Sequence, residues 1–66
     1  MQHQTQRALA TIADNVVTLT HDGAGGWFVR RTYPDGRTVN VTEGVSTFTY
    51  ARLVFVETVD RLTKGL

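Results

Sequence analysis

Between residues 16 and 44 the chain alternates apolar and polar residues at the period of a pleated strand. The runs NVVTLTH, GWFVRRTY and RTVNVTE are rich in β-branched and aromatic residues, which suit a half-buried sheet surface. Between the second and third runs lies Tyr33-Pro34-Asp35-Gly36-Arg37. Pro34 presets φ for the first turn position, Asp35 suits the second, and Gly36 accepts positive φ without steric cost, which predicts a three-residue hairpin loop with a glycine bulge. Register follows from that turn. With Tyr33 opposite Arg37, Arg31 faces Val39, Val29 faces Val41 and Trp27 faces Glu43. A two-residue Asp35-Gly36 loop would turn every side chain to the other face. Only the first register gathers Trp27, Val29, Tyr33, Val39 and Val41 on one side. The segment Asp22-Gly23-Ala24-Gly25-Gly26 predicts a looser connection, and pairing His21 with Trp27 across it brings Leu19 and Val17 to the same apolar face.

Past Val45 the spacing becomes helical. Ser46 or Thr47 suits an N-cap, Val45 and Tyr50 are spaced for a hydrophobic staple, and Glu57 with Arg61 and Asp60 with Lys64 form i,i+4 pairs. Gly65 is placed to stop the helix. Phe48, Ala51, Phe55, Val59, Leu62 and Leu66 form one stripe at helical spacing. The alternation of Phe48, Tyr50, Val54 and Val56 also fits a fourth strand, but the cap, the charge pairs and the lack of a hairpin turn near Val45 favour a helix over residues 46–64. In residues 1–15, Ala8, Leu9, Ile12 and Ala13 are spaced for a short helix capped by Thr5, expected to fray or dock as a loose arm. The expected fold is α+β: a three-stranded antiparallel β-meander followed by a C-terminal α-helix packed on one sheet face, in a single domain spanning residues 1–66.

Composition narrows the picture. A chain of 66 residues buries only about 60% of the surface it exposes when unfolded, so it needs a staple or a second copy. There are 0 cysteines, which removes disulfides and thiolate metal sites, and His3 and His21 have no ligand-spaced companion. No metal, no cofactor and a homodimer are therefore expected. No apolar run approaches a bilayer span, and the N-terminus lacks the pattern of a secretory leader, so the expectation is a cytoplasmic protein without membrane contact. Gly23-Ala24-Gly25-Gly26 has the wrong spacing and context for a phosphate loop. His21-Asp22 has no nucleophile beside it, and Ser46, the sole serine, is explained by capping. Nothing points to an enzyme or a small-molecule substrate.

Two surfaces remain as binding candidates. On the helix, Tyr50, Leu53, Val54 and Val56 fall outside the core stripe and predict a protein interface, either a dimer seam or a partner patch. On the sheet, the face opposite the helix carries Thr18, Thr20, Phe28, Arg30, Thr32, Thr38, Asn40 and Thr42. Arg30, Asn40 and Thr32 on that face, with Arg31 and Arg37 nearby, suit contacts to bases and phosphates, and an exposed Phe28 would stack on a base. A net charge of +1 weighs against a large phosphate footprint.

The element order, with GWFVRRTYPDGRTVNV as the central hairpin, resembles the arm-type DNA-binding domains of tyrosine integrases and the plant AP2 domains. The likeness covers residues 16–63 and rests on topology, without a diagnostic motif. It implies a sheet laid in the major groove. The functional classes carried forward are thus a nucleic-acid-binding module, a protein–protein inhibitor of a host complex of the kind phages and mobile elements encode (anti-CRISPR-like or transcription-inhibitor-like), and a structural homo-oligomer.

Overall fold

The computed structural model describes residues 4–66, so His3 lies outside the described residues. The elements are β1 (Thr5–Ile12), β2 (Asn15–His21), β3 (Trp27–Thr32), β4 (Thr38–Asn40) and α1 (Phe48–Lys64). The four strands form an antiparallel meander in the order β1-β2-β3-β4, with α1 packed on one face.

The expected meander is present, in the expected register. Leu19 pairs with Val29, Val17 with Arg31, His21 with Trp27, and Arg31 with Val39. The Tyr33 N–H donates to the Arg37 carbonyl at 2.7 Å, and Gly36, at φ +92°, returns its N–H to the Tyr33 carbonyl at 2.9 Å. Beyond β4 the ladder departs from expectation. Val41 still donates to the Val29 carbonyl at 2.8 Å, but the Val29 N–H finds the Thr42 hydroxyl at 3.2 Å instead of a backbone acceptor. The chain then loops out, and Ser46 rather than Glu43 sits opposite Trp27, exchanging two backbone hydrogen bonds of 2.8 Å with it.

The segment expected as a short helix or arm is instead the edge strand β1. Its burial alternates with period two: Ala8, Ala10 and Ile12 are half-buried while Leu9 and Thr11 are exposed. Pairing with β1 satisfies the outer backbone edge of β2, whose Val17 and Leu19 are core residues, whereas a short helix with a narrow apolar face would leave that edge open. The turn at Ala13-Asp14 has φ +50° and +65°, the signature of a two-residue type I′ hairpin built without its favoured Asn-Gly. Asn15 braces it, donating from Nδ2 to the carbonyls of Ile12 (3.2 Å) and Ala13 (3.3 Å). Replacing Ala13-Asp14 by Asn-Gly is expected to relieve left-handed strain by about 1 kcal/mol. For a chain this small that raises the melting midpoint by about 5 °C, measurable by circular dichroism. An unchanged midpoint would mean the turn carries no strain.

α1 is capped by Thr47, whose hydroxyl accepts the Tyr50 N–H at 3.2 Å. With the cap there, Val45 and Tyr50 no longer occupy the staple positions, and both side chains are exposed. Among the described residues the one ion pair is Lys64–Asp60 at 2.9 Å; Glu57 and Arg61 do not close. The core is small: Val17, Leu19, Val29 and Ala51 are buried, with Ala8, Trp27, Val54, Phe55, Val59 and Leu62 packed around them. The Phe48 ring meets Trp27 edge-on at 4.8 Å, while Leu66, beyond the last turn, is 77% exposed. Val54, expected at an interface, packs against the core instead, one helical turn from the buried Ala51. No helix among the described residues is long and apolar enough to cross a membrane.

Candidate anion-binding groove

α1 lies over β1, β2 and β3, and none of its Cα atoms comes within 8 Å of one in β4. The helix side of the sheet is therefore left open at the end that carries the Pro34-Asp35-Gly36 hairpin. A groove of about 280 Å³ results, lined by Arg31, Tyr33, Val39 and Val41 from the sheet and Thr58, Arg61 and Leu62 from the helix. Val39 and Val41 are each 37% exposed there, so the floor is apolar and reachable.

Alternation along β3 puts Arg31 on this side, in line with Val29, and its neighbours hold it in place. Arg31 donates from Nε (3.2 Å) and Nη2 (2.9 Å) to Oδ1 of the buried Asn15, the residue that also braces the β1–β2 turn. Its guanidinium carbon lies 4.1 Å from the centroid of the Tyr33 ring, and that of Arg37 lies 4.4 Å from the same centroid. Among the described residues no carboxylate comes within 4.0 Å of Arg31, Arg37 or Arg61. Asn15 is a neutral partner, so it positions the Arg31 charge without cancelling it. Of the chain's seven Lys and Arg residues, Arg31 and Arg61 line the cleft and Arg37 rests on its Tyr33 ring, an arrangement in which guanidinium donors beside low-dielectric walls favour an anion.

The six residues expected to contact nucleic acid are thereby divided. Arg31 lines the groove and Arg37 lies against its Tyr33 ring, whereas Phe28, Arg30, Thr32 and Asn40 lie on the opposite sheet face. Phe28 is not an exposed stacking platform: it is 8% exposed, with the Arg30 guanidinium 4.9 Å over its ring. Arg30 is further held by Asn40 Oδ1 at 3.4 Å, and the Thr32 and Thr38 hydroxyls pair at 3.2 Å. The depression beside Phe28 is shared by Gly44, Val45 and Asp22, so a carboxylate accompanies the one guanidinium in that depression. Asp22 is held below the usual carboxylate range, first by the Ala24 N–H (2.8 Å) and then by the Gly26 N–H (2.9 Å). A depressed pKa means that this contribution to the β2–β3 loop is present at neutral pH and lost as acid protonates the carboxylate.

Of the residues expected at a protein interface, Tyr50, Leu53 and Val56 are all more than half exposed on the helix, and Val54 is packed inward. Tyr33 and Arg61 are the groove residues that sequence reasoning missed. Tyr33 reads as one more member of the apolar face, and Arg61 reads as the partner of Glu57. The available signal was Arg31: the derived register already set a charged residue among Val17, Val29 and Val39, which asks for a reason. Among the described residues there is no group of three His, Cys, Asp or Glu side chains placed to hold a metal ion. No protein-family model, no curated protein and no solved structure matches this chain.

Proposed function

We propose that the protein is a small, non-enzymatic, cytoplasmic binding module that holds single-stranded nucleic acid in the Arg31–Tyr33–Arg37–Arg61 groove. The observation that carries the reading is the grouping of Arg31 and Arg61 in the groove lining with Arg37 on its Tyr33 ring, none with a carboxylate partner among the described residues, beside an apolar floor. Phosphates supply the negative partner that the arginines lack. The Tyr33 ring is already covered by the Arg31 and Arg37 guanidiniums, so an unstacked base would lie against a guanidinium plane backed by that ring, with apolar walls in Val39, Val41 and Leu62. A duplex keeps its bases stacked and offers nothing to that floor, hence the preference for a single strand. The near-neutral net charge limits the footprint and the affinity, but not the local field of the cleft.

The reading sets a salt dependence. Three phosphate contacts on a single strand correspond to a slope of about −2 in log K against log salt. Anisotropy of a labelled decanucleotide, titrated with protein at several low salt concentrations, measures it. Absence of binding at about 50 mM salt, or equal affinity for duplex and single strand, removes the proposal. A second reading rests on Tyr50, Leu53 and Val56, whose outward exposure on α1 fits a protein-binding module of the inhibitor kind that phages and mobile elements encode. Affinity capture that retains a defined host complex, and loses it with Leu53→Asp, would favour that reading over nucleic acid.

A further inference from the structure

β1 has eight residues, is the longest strand, and forms a margin of the sheet. The two-residue hairpin decides which of its backbone groups face outward. Ile12 and Asn15 close the ladder as a hydrogen-bonded pair, so Ala10 with Val17 and Ala8 with Leu19 are bonded in turn. The N–H and C=O groups of Leu9 and Thr11 then point away from β2. Such an edge is ordinarily blunted by a proline, a lysine, a bulge or brevity. β4, at the other margin, is only three residues long. β1 has its bulge between Gln6 and Ala8, which leaves Ala8 to Ile12 regular and uncharged.

We propose that β1 pairs antiparallel with β1 of a second copy of this chain, with the two-fold axis at Ala10. Leu9 of each copy then lies opposite Thr11 of the other, and about four inter-chain backbone hydrogen bonds form from groups that have no partner in one copy. A strand antiparallel to its own copy is complementary by symmetry, and the contact closes at two subunits. The side chains fit this occupant. On the helix side Ala10 meets Ala10 and Ala8 meets Ile12, small and apolar throughout. At both ends of the seam Arg7 of one copy falls opposite Ala13 of the other, one position from its Asp14, so that the two charges are diagonal neighbours of opposite sign. On the open face the seam covers Leu9, which is 53% exposed in the single chain. The result is a continuous eight-stranded sheet with both helices on one side. The dimer also supplies the stabilisation that a chain of 66 residues with 0 cysteines otherwise lacks.

Light scattering coupled to size exclusion at about 50 µM, a concentration at which a micromolar dimer is populated, is expected to return twice the chain mass. Leu9→Pro removes only an outward N–H, a place where an edge strand tolerates proline. It is expected to weaken the dimer about 30-fold, the equivalent of two neutral hydrogen bonds lost per dimer, with the circular dichroism of the fold retained. Should that variant not fold, the pair Leu9→Lys and Thr11→Lys gives the same readout through charge repulsion at the seam. Slow amide exchange at Leu9 and Thr11 in the wild type is a further expected sign. A monomeric wild type overturns the proposal. So does a dimer that survives these variants while Leu53→Asp splits it, because the seam would then lie on the helix. These outcomes are independent of oligonucleotide binding, which the groove alone determines.

Discussion

The double substitution Arg37→Ala, Arg61→Ala is expected to leave the fold intact and to weaken single-strand binding about 100-fold at low salt, the loss of two charge-assisted contacts. Both side chains are exposed, and neither side chain hydrogen-bonds to the rest of the protein among the described residues. The loss is therefore read as binding and not as unfolding. The salt slope is expected to fall from about −2 to about −0.7 as two of three phosphate contacts disappear. Tyr33→Leu keeps the groove apolar but removes the ring on which the Arg31 and Arg37 guanidiniums rest, and a loss of about tenfold is expected with the salt slope unchanged, since both charges remain. Arg30→Ala is the decisive companion. It removes the guanidinium that lies over Phe28 on the opposite face and is expected to change affinity less than twofold on the scale of a single lost contact. If Arg30→Ala were the damaging change and the groove pair were silent, the sheet face would be the contact surface and the groove assignment would fail.

The second large effect is on stability. Leu19→Ala removes a buried side chain from a core with only four fully assembled members, Val17, Leu19, Val29 and Ala51. Such truncations cost about 2–5 kcal/mol. A domain of this length holds about 3–10 kcal/mol in total. A thermal melt is expected to show the midpoint falling by about 8–40 °C on the usual scale of about 4–8 °C per kcal/mol, with much of the chain unfolded at 37 °C. Leu53→Ala, on the exposed side of α1, is expected to stay within about 0.5 kcal/mol of wild type. A Leu19→Ala midpoint within a few degrees of wild type would show that the β2 face toward α1 is not the core. If the edge-to-edge dimer forms, both midpoints rise with protein concentration, because association binds only the folded chain.

The parts of the fold that sequence made legible are those where local chemistry has few solutions. Pro34-Asp35-Gly36 admits one tight loop, that loop sets the pairing of β3 with β4, and the pairing sets which side of the sheet is apolar. The Thr47 cap and the charged last turn mark α1 despite its many β-branched residues. β1 was hidden because its inward positions are Ala8, Ala10 and Ile12. Alanine carries too little hydrophobic contrast to reveal a period of two, and Ala13-Asp14 lacks the residues that announce a type I′ turn. Burial of Phe28 was equally out of reach. Alternation correctly sets it on the face opposite the helix, but its cover is Arg30 from the same face together with the looped-out segment near Val45, and no rule of spacing predicts that a loop will fold back. For the groove, Arg31 was readable as a charge on the apolar face. The vacancy beside it depends on α1 stopping short of β4, which is a matter of where a helix lies across a sheet and is written in no single residue.

One further property follows from how α1 is fastened. Its first turn is clamped, by the paired Trp27 and Ser46 backbones and by the Phe48 ring against Trp27, while its last turn ends at Gly65 and Leu66 with no strand beneath Arg61 on the β4 side. Further along, Val54, Phe55, Val59 and Leu62 hold the helix against the core. Leu62 is at the same time a wall of the cleft, so the width of the cleft is set by the packing of the interior, and a substitution that loosens Leu62 alters both together.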